Sequence, residues 1–379
     1  MRSVAIRDGR LLVNDRPFLP IGIYHAAHWH KGLREAGEKG FNVVQTYGGG
    51  KPEEFRKDID DAYANGLYAA AAFNGLCDNP EVVEKIVRAC RDAPGLLVWL
   101  LEDEPNIRMP EPKEKPYAER PFRLPPAKLK PIHDLVRRLD PAHPVWINLA
   151  HGFLADHQAY NPVADIMSDD IYPVPETALA AVAAYARSTV QGCAGKPAWL
   201  VLQMAPVRPQ MGAKDRHPTM AEVRCMTYMA LAHGVTGLAY YSFNERPGYD
   251  WRVTESDPAY WAQWADLTAE LSALAPYLLA PEAEGQVKVE VLEGAGGPGE
   301  WGFPALHLSL RRSTTGYFLI AVNGTAAPLR ARLTLPAAPG AAQAAVRLEN
   351  RVVDLRGPVV EDSFAPYAVH LYEISAGKP

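Results

Sequence analysis

The chain has 379 residues, 48% of them hydrophobic, and a net charge of −5, enough apolar material for a large core and more than one domain. Its basic residues are scattered, which argues against nucleic acid or an anionic membrane as partner and favours a neutral ligand. No apolar stretch approaches the roughly 20 residues that cross a bilayer, and the opening MRSVAIRDGR lacks the apolar centre of a secretory signal, so a cytoplasmic location is expected unless a leader has been removed.

In chain order, the first twenty residues alternate around Asp8-Gly9 and Asn14-Asp15, as a small hairpin does, and are expected to plug one end of the domain formed by the next segments. Eight apolar runs then end in polar or aromatic residues: 18–25, 41–47, 67–74, 96–104, 144–150, 165–173, 197–204 and 237–243. Segments of helical period separate them, many closed by the glycine expected just past a helix end. Strands alternating with helices imply parallel pairing through right-handed crossovers, and eight such units close into a (β/α)8 TIM barrel. A doubly wound open sheet fits less well, because no GxGxxG or P-loop comes after any strand. Near residue 282 the texture turns to short alternating strands. The expected organisation is therefore a hairpin plus catalytic barrel over 1–281 and a small antiparallel β-sandwich over 282–379. Cys77, Cys90, Cys193 and Cys225 form no CxxC pair, so separate buried thiols are expected, without a zinc site, disulfide framework or other cofactor.

In such a barrel the loops after the carboxyl ends of the strands carry the chemistry. The fourth run, LLVWLLEDEP, ends in Glu102, Asp103 and Glu104. Strict alternation would send Asp103 and Glu104 to opposite faces, so both can enter the cup only if the strand end twists or bulges. The alternative use of these acids is to cap the adjoining loop or to pair with Arg108.

The chain here resembles clan A of the glycoside hydrolases, barrel glycosidases in which Asn-Glu-Pro closes the fourth strand. The resemblance runs through DRPFLPIGIY, GFNVVQTY, DEP at the fourth strand and APYAVHLYEI near the C-terminus. It implies Glu104 as general acid/base and puts Asp103 where the family's Asn contacts the sugar 2-hydroxyl. A partly buried Glu suits the task, since the leaving alkoxide must be protonated near neutral pH. The departure is at the seventh strand, where the family's nucleophilic Glu is replaced by Gln203, which can neither attack nor act as a base. Either the chain binds sugar without turnover, through a natural or introduced Glu-to-Gln replacement, or another carboxylate completes the pair. The second reading is adopted, with Gln203 bonding a sugar hydroxyl.

Asp170 after the sixth strand is the first candidate for that carboxylate and Glu245 after the eighth is the second. Asp103, Asp169, Tyr172, Trp251, His25, Trp29, Tyr47, Asn74, Asn148 and Tyr241 also stand at strand ends, the mixture of aromatic and amide groups that a carbohydrate site needs. A metal-assisted hydrolase or lyase using His25, His28 and the acids is the least favoured alternative, because the spacing matches no HExxH-like pattern. The proline-rich insert after Glu104 is long enough to act as a lid or binding edge. Deleting 109–121 is expected to lower substrate affinity or chain-length selectivity more than melting temperature. Equal losses in binding and thermal unfolding would make the loop purely structural.

Overall fold

The computed structural model describes residues 3–28, 31–208, 214–243 and 253–375. Two compact units interleave along the chain. The first is the chain up to Tyr172 together with Tyr185–Val207 and Val235–Ser272, and the second is Pro173–Ala184, Arg208–Gly234 and Ala273 onward.

The first unit opens on an antiparallel meander of β1 (Val4–Arg7), β2 (Arg10–Val13) and β3 (Arg16–Pro17). Its turn residues Asp8, Gly9, Asn14 and Asp15 all have positive φ, as tight hairpin turns matched to strand twist require. Eight parallel strands come next: β4 (Ile21–Ile23), β5 (Val43–Thr46), β6 (Tyr68–Ala72), β7 (Leu96–Asp103), β8 (Val145–Ala150), β9 (Ile166–Ile171), β10 (Ala198–Gln203) and β11 (Gly237–Tyr241). They pair in sequence order, and β11 closes the barrel by pairing back onto β4 through Leu238↔Ile21, Ala239↔Gly22 and Tyr240↔Ile23. All eight expected strands are present, each inside its apolar run.

Period-two alternation divides every strand into an inner and an outer row. The inner row supplies Val43, Ala70, Ala72, Val98, Leu100, Trp146, Ile166, Trp199, Val201 and Ala239 to one apolar cluster, joined by Leu11 and Val13 of the meander. The barrel is thus filled, and the meander contributes to the filling. Two indoles meet within it, with the Trp146 and Trp199 ring centroids 5.1 Å apart. Room for Trp199 comes from Gly237, its partner on β11, where an added Cβ would lie 2.4 Å from the Trp199 ring. In the outer row, Trp99 stacks on Phe73 at 5.1 Å and donates to Asp140 Oδ2 at 2.9 Å.

The segment after β7 is bound to the barrel rather than draped over it. Asn106 donates to the Ala150 carbonyl (2.7 Å) and to Asp156 Oδ2 (2.9 Å), and its Oδ1 accepts from Ala150 N (2.9 Å). Arg108 Nη2 donates to Asp156 Oδ1 at 2.6 Å, in an ion pair whose side chains are 5% and 3% exposed. Beyond it the chain doubles back, with Met109 N bonded to Pro121 O, Arg123 N to Ile107 O and Leu124 N to Pro105 O. Arg120 gathers the carbonyls of Pro110, Lys113 and Lys115 from inside the loop.

The second unit carries an eight-stranded antiparallel sheet of β12 (Lys288–Glu293), β13 (Leu306–Ser313), β14 (Gly316–Asn323), β15 (Leu329–Thr334), β16 (Gln343–Val346), β17 (Arg351–Arg356), β18 (Val359–Phe364) and β19 (Val369–Ser375). The first part of β17 pairs with β16 and its last residues with β18. This strand therefore joins two halves whose apolar faces share one core, including Leu310, Leu319, Leu333, Val360, Phe364 and Tyr372. The helix Met220–Ala232, started by a Thr219/Glu222 capping box, packs on β13, β14 and β19.

All four cysteines are buried free thiols. Among the described residues no helix is long and apolar enough to cross a membrane.

Removing one member of a buried ion pair leaves the other charge unpaired, at a cost of about 3–5 kcal/mol. Asp156→Ala is therefore expected to lower unfolding stability by that amount in a denaturant titration. A loss under about 1 kcal/mol, typical of a surface pair, would show that the Arg108 clamp does not hold this segment.

Candidate active site

Carrying the inner row one step past the apolar plug places polar residues over it: Gln45, Asn148, Asp170, Gln203 and Tyr241 share strand parity with the filling residues below them. The fourth barrel strand, β7, breaks this rhythm. Its pairing with β8 runs Trp99↔Val145 and Leu100↔Trp146, then skips Leu101 and resumes at Glu102↔Ile147 and Asp103↔Asn148. One extra residue in the strand resets the alternation. Glu102 consequently faces outward and Asp103 inward. Glu104 then takes φ of 50°, a left-handed conformation that costs a β-carbon residue on the order of 1–3 kcal/mol, while its N–H donates to Asn148 O at 2.8 Å. Bulge and left-handed residue together bring Asp103 and Glu104 to the same cup.

Glu102 takes the loop-fixing role, accepting from Arg123 Nη2 (3.2 Å) and Gly75 N (3.2 Å). The same Arg123 Nη2 donates to the Asp103 carbonyl at 2.7 Å. Arg108 pairs with Asp156 and not with the strand-end acids.

The Glu104 and Asp170 carboxyls are neighbours in the cup, close enough for the Glu104 charge to act on Asp170. Burial, then that charge, holds Asp170 protonated well above the usual carboxylate range. Burial and the Glu104 charge push Asp103 up to about 7, against the opposing hydrogen bond from Asn148. A relay fixes Asp103: Trp146 Nε1 donates to Ser168 Oγ (2.8 Å), Ser168 to Asn148 Oδ1 (2.6 Å), and Asn148 Nδ2 to Asp103 Oδ1 (2.9 Å). Neither Ser168 nor Gln45 stood out in the sequence. The available signal was a polar residue at inner-row parity within an apolar strand. Gln45 accepts a hydrogen bond from the Tyr47 hydroxyl.

Aromatic rings wall the cup. His25 lies 5.1 Å from Tyr241 and 6.2 Å from Tyr47, and Tyr172 lies 5.1 Å from Tyr241. Tyr24 meets Trp146, Tyr241 and His25 edge-on at 6.3, 6.0 and 6.2 Å. Asn74 is partly buried beyond β6.

Two expectations need revision. Asp169 lies in the outer row, unexposed, with its Oδ2 3.1 Å from His157 Nε2 and accepting from Gly152 N at 3.0 Å. Neighbouring strand residues point to opposite faces, so Asp169 supports the barrel wall behind Asp170 and does not reach the cup. Gln203 has the inner parity but is fully buried, and its Nε2 donates to the Ala205 carbonyl at 3.1 Å. Glu245, Trp29 and Trp251 lie outside the described residues, as does the His28 side chain. Among the described residues no group of three or more His, Cys, Asp or Glu is placed to hold a metal ion.

The glycoside hydrolase 42 (beta-galactosidase) family profile matches residues 129–289, under half of the chain, spanning Asn148, Asp170 and Gln203 but beginning after Glu104. No curated protein sequence matches the chain. Among solved structures, the beta-galactosidase of Bacillus circulans sp. alkalophilus superposes with a TM-score of 0.66 at 10% identity, covering 94% of this chain and 99% of that one. The beta-galactosidase of the psychrophilic Marinomonas ef1 gives 0.55 at 14% identity over 69% of this chain, which spans 62% of that protein's length. A glycoside hydrolase family 30 subfamily 8 xylanase of Clostridium acetobutylicum gives 0.52 at 9% identity, covering 98% and 97%. At such identities these likenesses establish the fold.

Asp103 binds its proton more tightly in the folded chain, at about 7, than in an unfolded one, near 3.9. Its contribution to stability therefore falls as pH rises from about 4 to about 7. Asp103→Asn, which keeps an acceptor for Asn148, is expected to be more stable than the parent by about 2–4 kcal/mol at pH 8 and no more stable at pH 4. Denaturant unfolding at the two pH values checks this. An equal difference at both would mean that no costly charge develops at 103.

Proposed function

We propose that this chain is a clan A (β/α)8 glycoside hydrolase that hydrolyses glycosidic bonds of an oligo- or polysaccharide with Glu104 and Asp170 as the carboxyl pair, a reading supported by the family profile and the shared fold. The observation that carries this reading is that strand parity, the bulge of β7 and the left-handed backbone at Glu104 bring these two carboxyls to one cup. Neighbouring buried carboxyls cannot both ionise without a large electrostatic cost, which favours one acid and one carboxylate, the complement a glycosidase needs.

Their positions suggest the division of labour. Glu104 is only partly buried, at the strand mouth, where a leaving group has access to solvent; Asp170 is 8% exposed and stands on the inner row, at the floor. Substrate enters between the carboxyls and separates them. The proton, held by Asp170 in the free chain, moves to Glu104 as substrate enters and passes from there to the glycosidic oxygen as the C1–O bond breaks, and the Asp170 carboxylate so freed forms a bond to C1. Water then attacks C1, giving its proton to Glu104 and releasing Asp170. Retention needs the carboxyls roughly 5–5.5 Å apart and inversion roughly 6.5–9.5 Å; a neighbouring pair has to open less to reach the first, which favours retention of configuration.

In this scheme the aromatic wall stacks on apolar sugar faces, while Asp103, Asn148 and Asn74 meet hydroxyls. Gln203, bound to the Ala205 carbonyl, shapes the wall beside them. The carboxylate missing from the seventh barrel strand is supplied one strand earlier, by Asp170. Gln203 also motivates a second reading, a barrel that binds saccharide without turnover.

The test uses a panel of 4-nitrophenyl glycosides and oligosaccharides, with product anomers monitored by proton NMR. Glu104→Gln is expected to lower kcat/KM on oligosaccharides about 10²–10⁴-fold, Asp170→Asn by at least as much, and the first-formed product to keep the anomeric configuration of the substrate. Parent-like turnover by Glu104→Gln would overturn the assignment. Saccharide binding without turnover by the parent, together with activity gained in Gln203→Glu, would establish the binding barrel instead.

A further inference from the structure

The segment that leaves β7 and the turn that leaves β8 are bonded to each other rung by rung. Glu104 N donates to Asn148 O at 2.8 Å, and the Asn106 amide bonds both Ala150 O (2.7 Å) and Ala150 N (2.9 Å). Tyr117, returning from the insert, sets its hydroxyl between Arg108 N (3.1 Å) and His151 Nε2 (2.9 Å). The rim that follows Glu104 along these rungs is therefore made by Tyr117 and His151.

Both sides of this rim are held. Behind His151, Gly152 N donates to Asp169 Oδ2 at 3.0 Å, and a Cβ at Gly152 would lie 2.9 Å from the Tyr185 ring. On the insert, Arg120 bonds the carbonyls of Pro110, Lys113 and Lys115. The polar groups are thus spent inside the fold, and the rings stay outside. Tyr117 is 39% and Phe153 38% exposed, and they flank the exposed His151 with ring centroids 5.3 and 6.1 Å from the imidazole. The Tyr117 hydroxyl accepts from Arg108 N, which leaves its own proton for His151 Nε2; the neutral ring then carries its proton on Nδ1, an N–H donor at the exposed surface. His151 has φ of 75°, and left-handed backbone at a residue with a β-carbon collects at ligand clamps.

Size says what covers the shelf. Rings of this kind bury about 150–250 Å² when fully covered, so two that are four-tenths exposed offer on the order of 150 Å², far under the roughly 800 Å² that each partner of a stable protein complex contributes. One sugar ring matches it.

We propose that Tyr117, His151 and Phe153 form a platform for the sugar on the leaving-group side of the scissile bond, so that the substrate is an oligosaccharide with at least one unit beyond that bond and not the glycoside of a small alcohol. The inference rests on the glycosidase reading, in which Glu104 protonates the leaving oxygen; the rungs from Glu104 to Tyr117 set the platform on that side. The ring faces take the apolar face of the sugar and His151 Nδ1 donates to one of its hydroxyls.

Phe153→Ala and His151→Ala are compared with the parent on the oligosaccharide cleaved fastest and on the glycosyl fluoride of the same sugar, whose leaving group leaves the platform empty. Circular dichroism and melting temperature establish that each variant is folded. The ratio of kcat/KM on oligosaccharide to that on fluoride is expected to fall about 3- to 10-fold in Phe153→Ala and at least as far in His151→Ala. A parent-like ratio in both variants overturns the platform and leaves the glycosidase reading standing. Equal losses on the two substrates also overturn it, because the rim would then brace the cup without touching the ligand. If the parent cleaves nothing in the panel but binds an oligosaccharide in isothermal titration calorimetry, and Phe153→Ala weakens that binding, the platform stands as a saccharide site and the hydrolytic reading falls. A parent that neither cleaves nor binds any oligosaccharide of the panel removes both.

Discussion

Neighbouring carboxyl groups in a buried cup cannot both be ionised without a large electrostatic cost, and the arrangement of this cup derives from that constraint. At Asp170 it shows as a carboxyl that holds its proton well above the usual range, through burial and then the Glu104 charge. Everything that forces Glu104 and Asp170 together has to work against their repulsion. The extra residue at Leu101 turns the end of β7 inward, the left-handed backbone at Glu104 aims a second acid the same way, and Asn106, Arg108 and Asp156 anchor the chain that leaves. Apolar filling below, led by Trp146 and Trp199, keeps water from screening the charges.

The shell around the pair sorts the acids by environment. Asp103 is held by the relay from Trp146 through Ser168 and Asn148, so its orientation depends on the plug beneath it as much as on its own strand. Glu102 and Asp169, each next in sequence to an acid of the cup, point outward to Arg123 and to His157. The same residue type thus serves wall and cup, and strand parity decides which. The cost falls on stability: a left-handed glutamate, a carboxyl raised to about 7 and the unsatisfied Tyr24 hydroxyl all sit at the mouth of the barrel, where a fold optimised only for stability would place none of them.

Scaffold and site separate in the same way across barrels of this shape. Chains sharing 9–14% identity with this one superpose on it, because an eight-strand closure requires only alternation, helical crossovers and a filled centre. What a barrel does is set by the few residues above the filling. This chain sets an amide, Gln203, at the end of the seventh barrel strand and an acid, Asp170, near the end of the sixth.

The eight strands, their order and the C-terminal sheet were legible in the sequence, because each rests on a local periodicity and a short-range connection that any stretch of chain expresses by itself. So was the gathering of acids, amides and aromatic rings at strand ends. Which of those side chains meet was not legible. Asp169 and Asp170 are equivalent in composition and differ only in parity relative to a barrel wall. Asp103 and Glu104 share the cup because of one bulged residue that leaves no mark in LLVWLLEDE. That Pro173–Ala184 and Arg208–Gly234 belong to the second unit likewise depends on packing between segments far apart in the chain. Periodicity is local and can be read along the chain. Register, parity at a bulge and the meeting of acids from different strands arise only when distant strands close on one another, so the tertiary structure alone decided them.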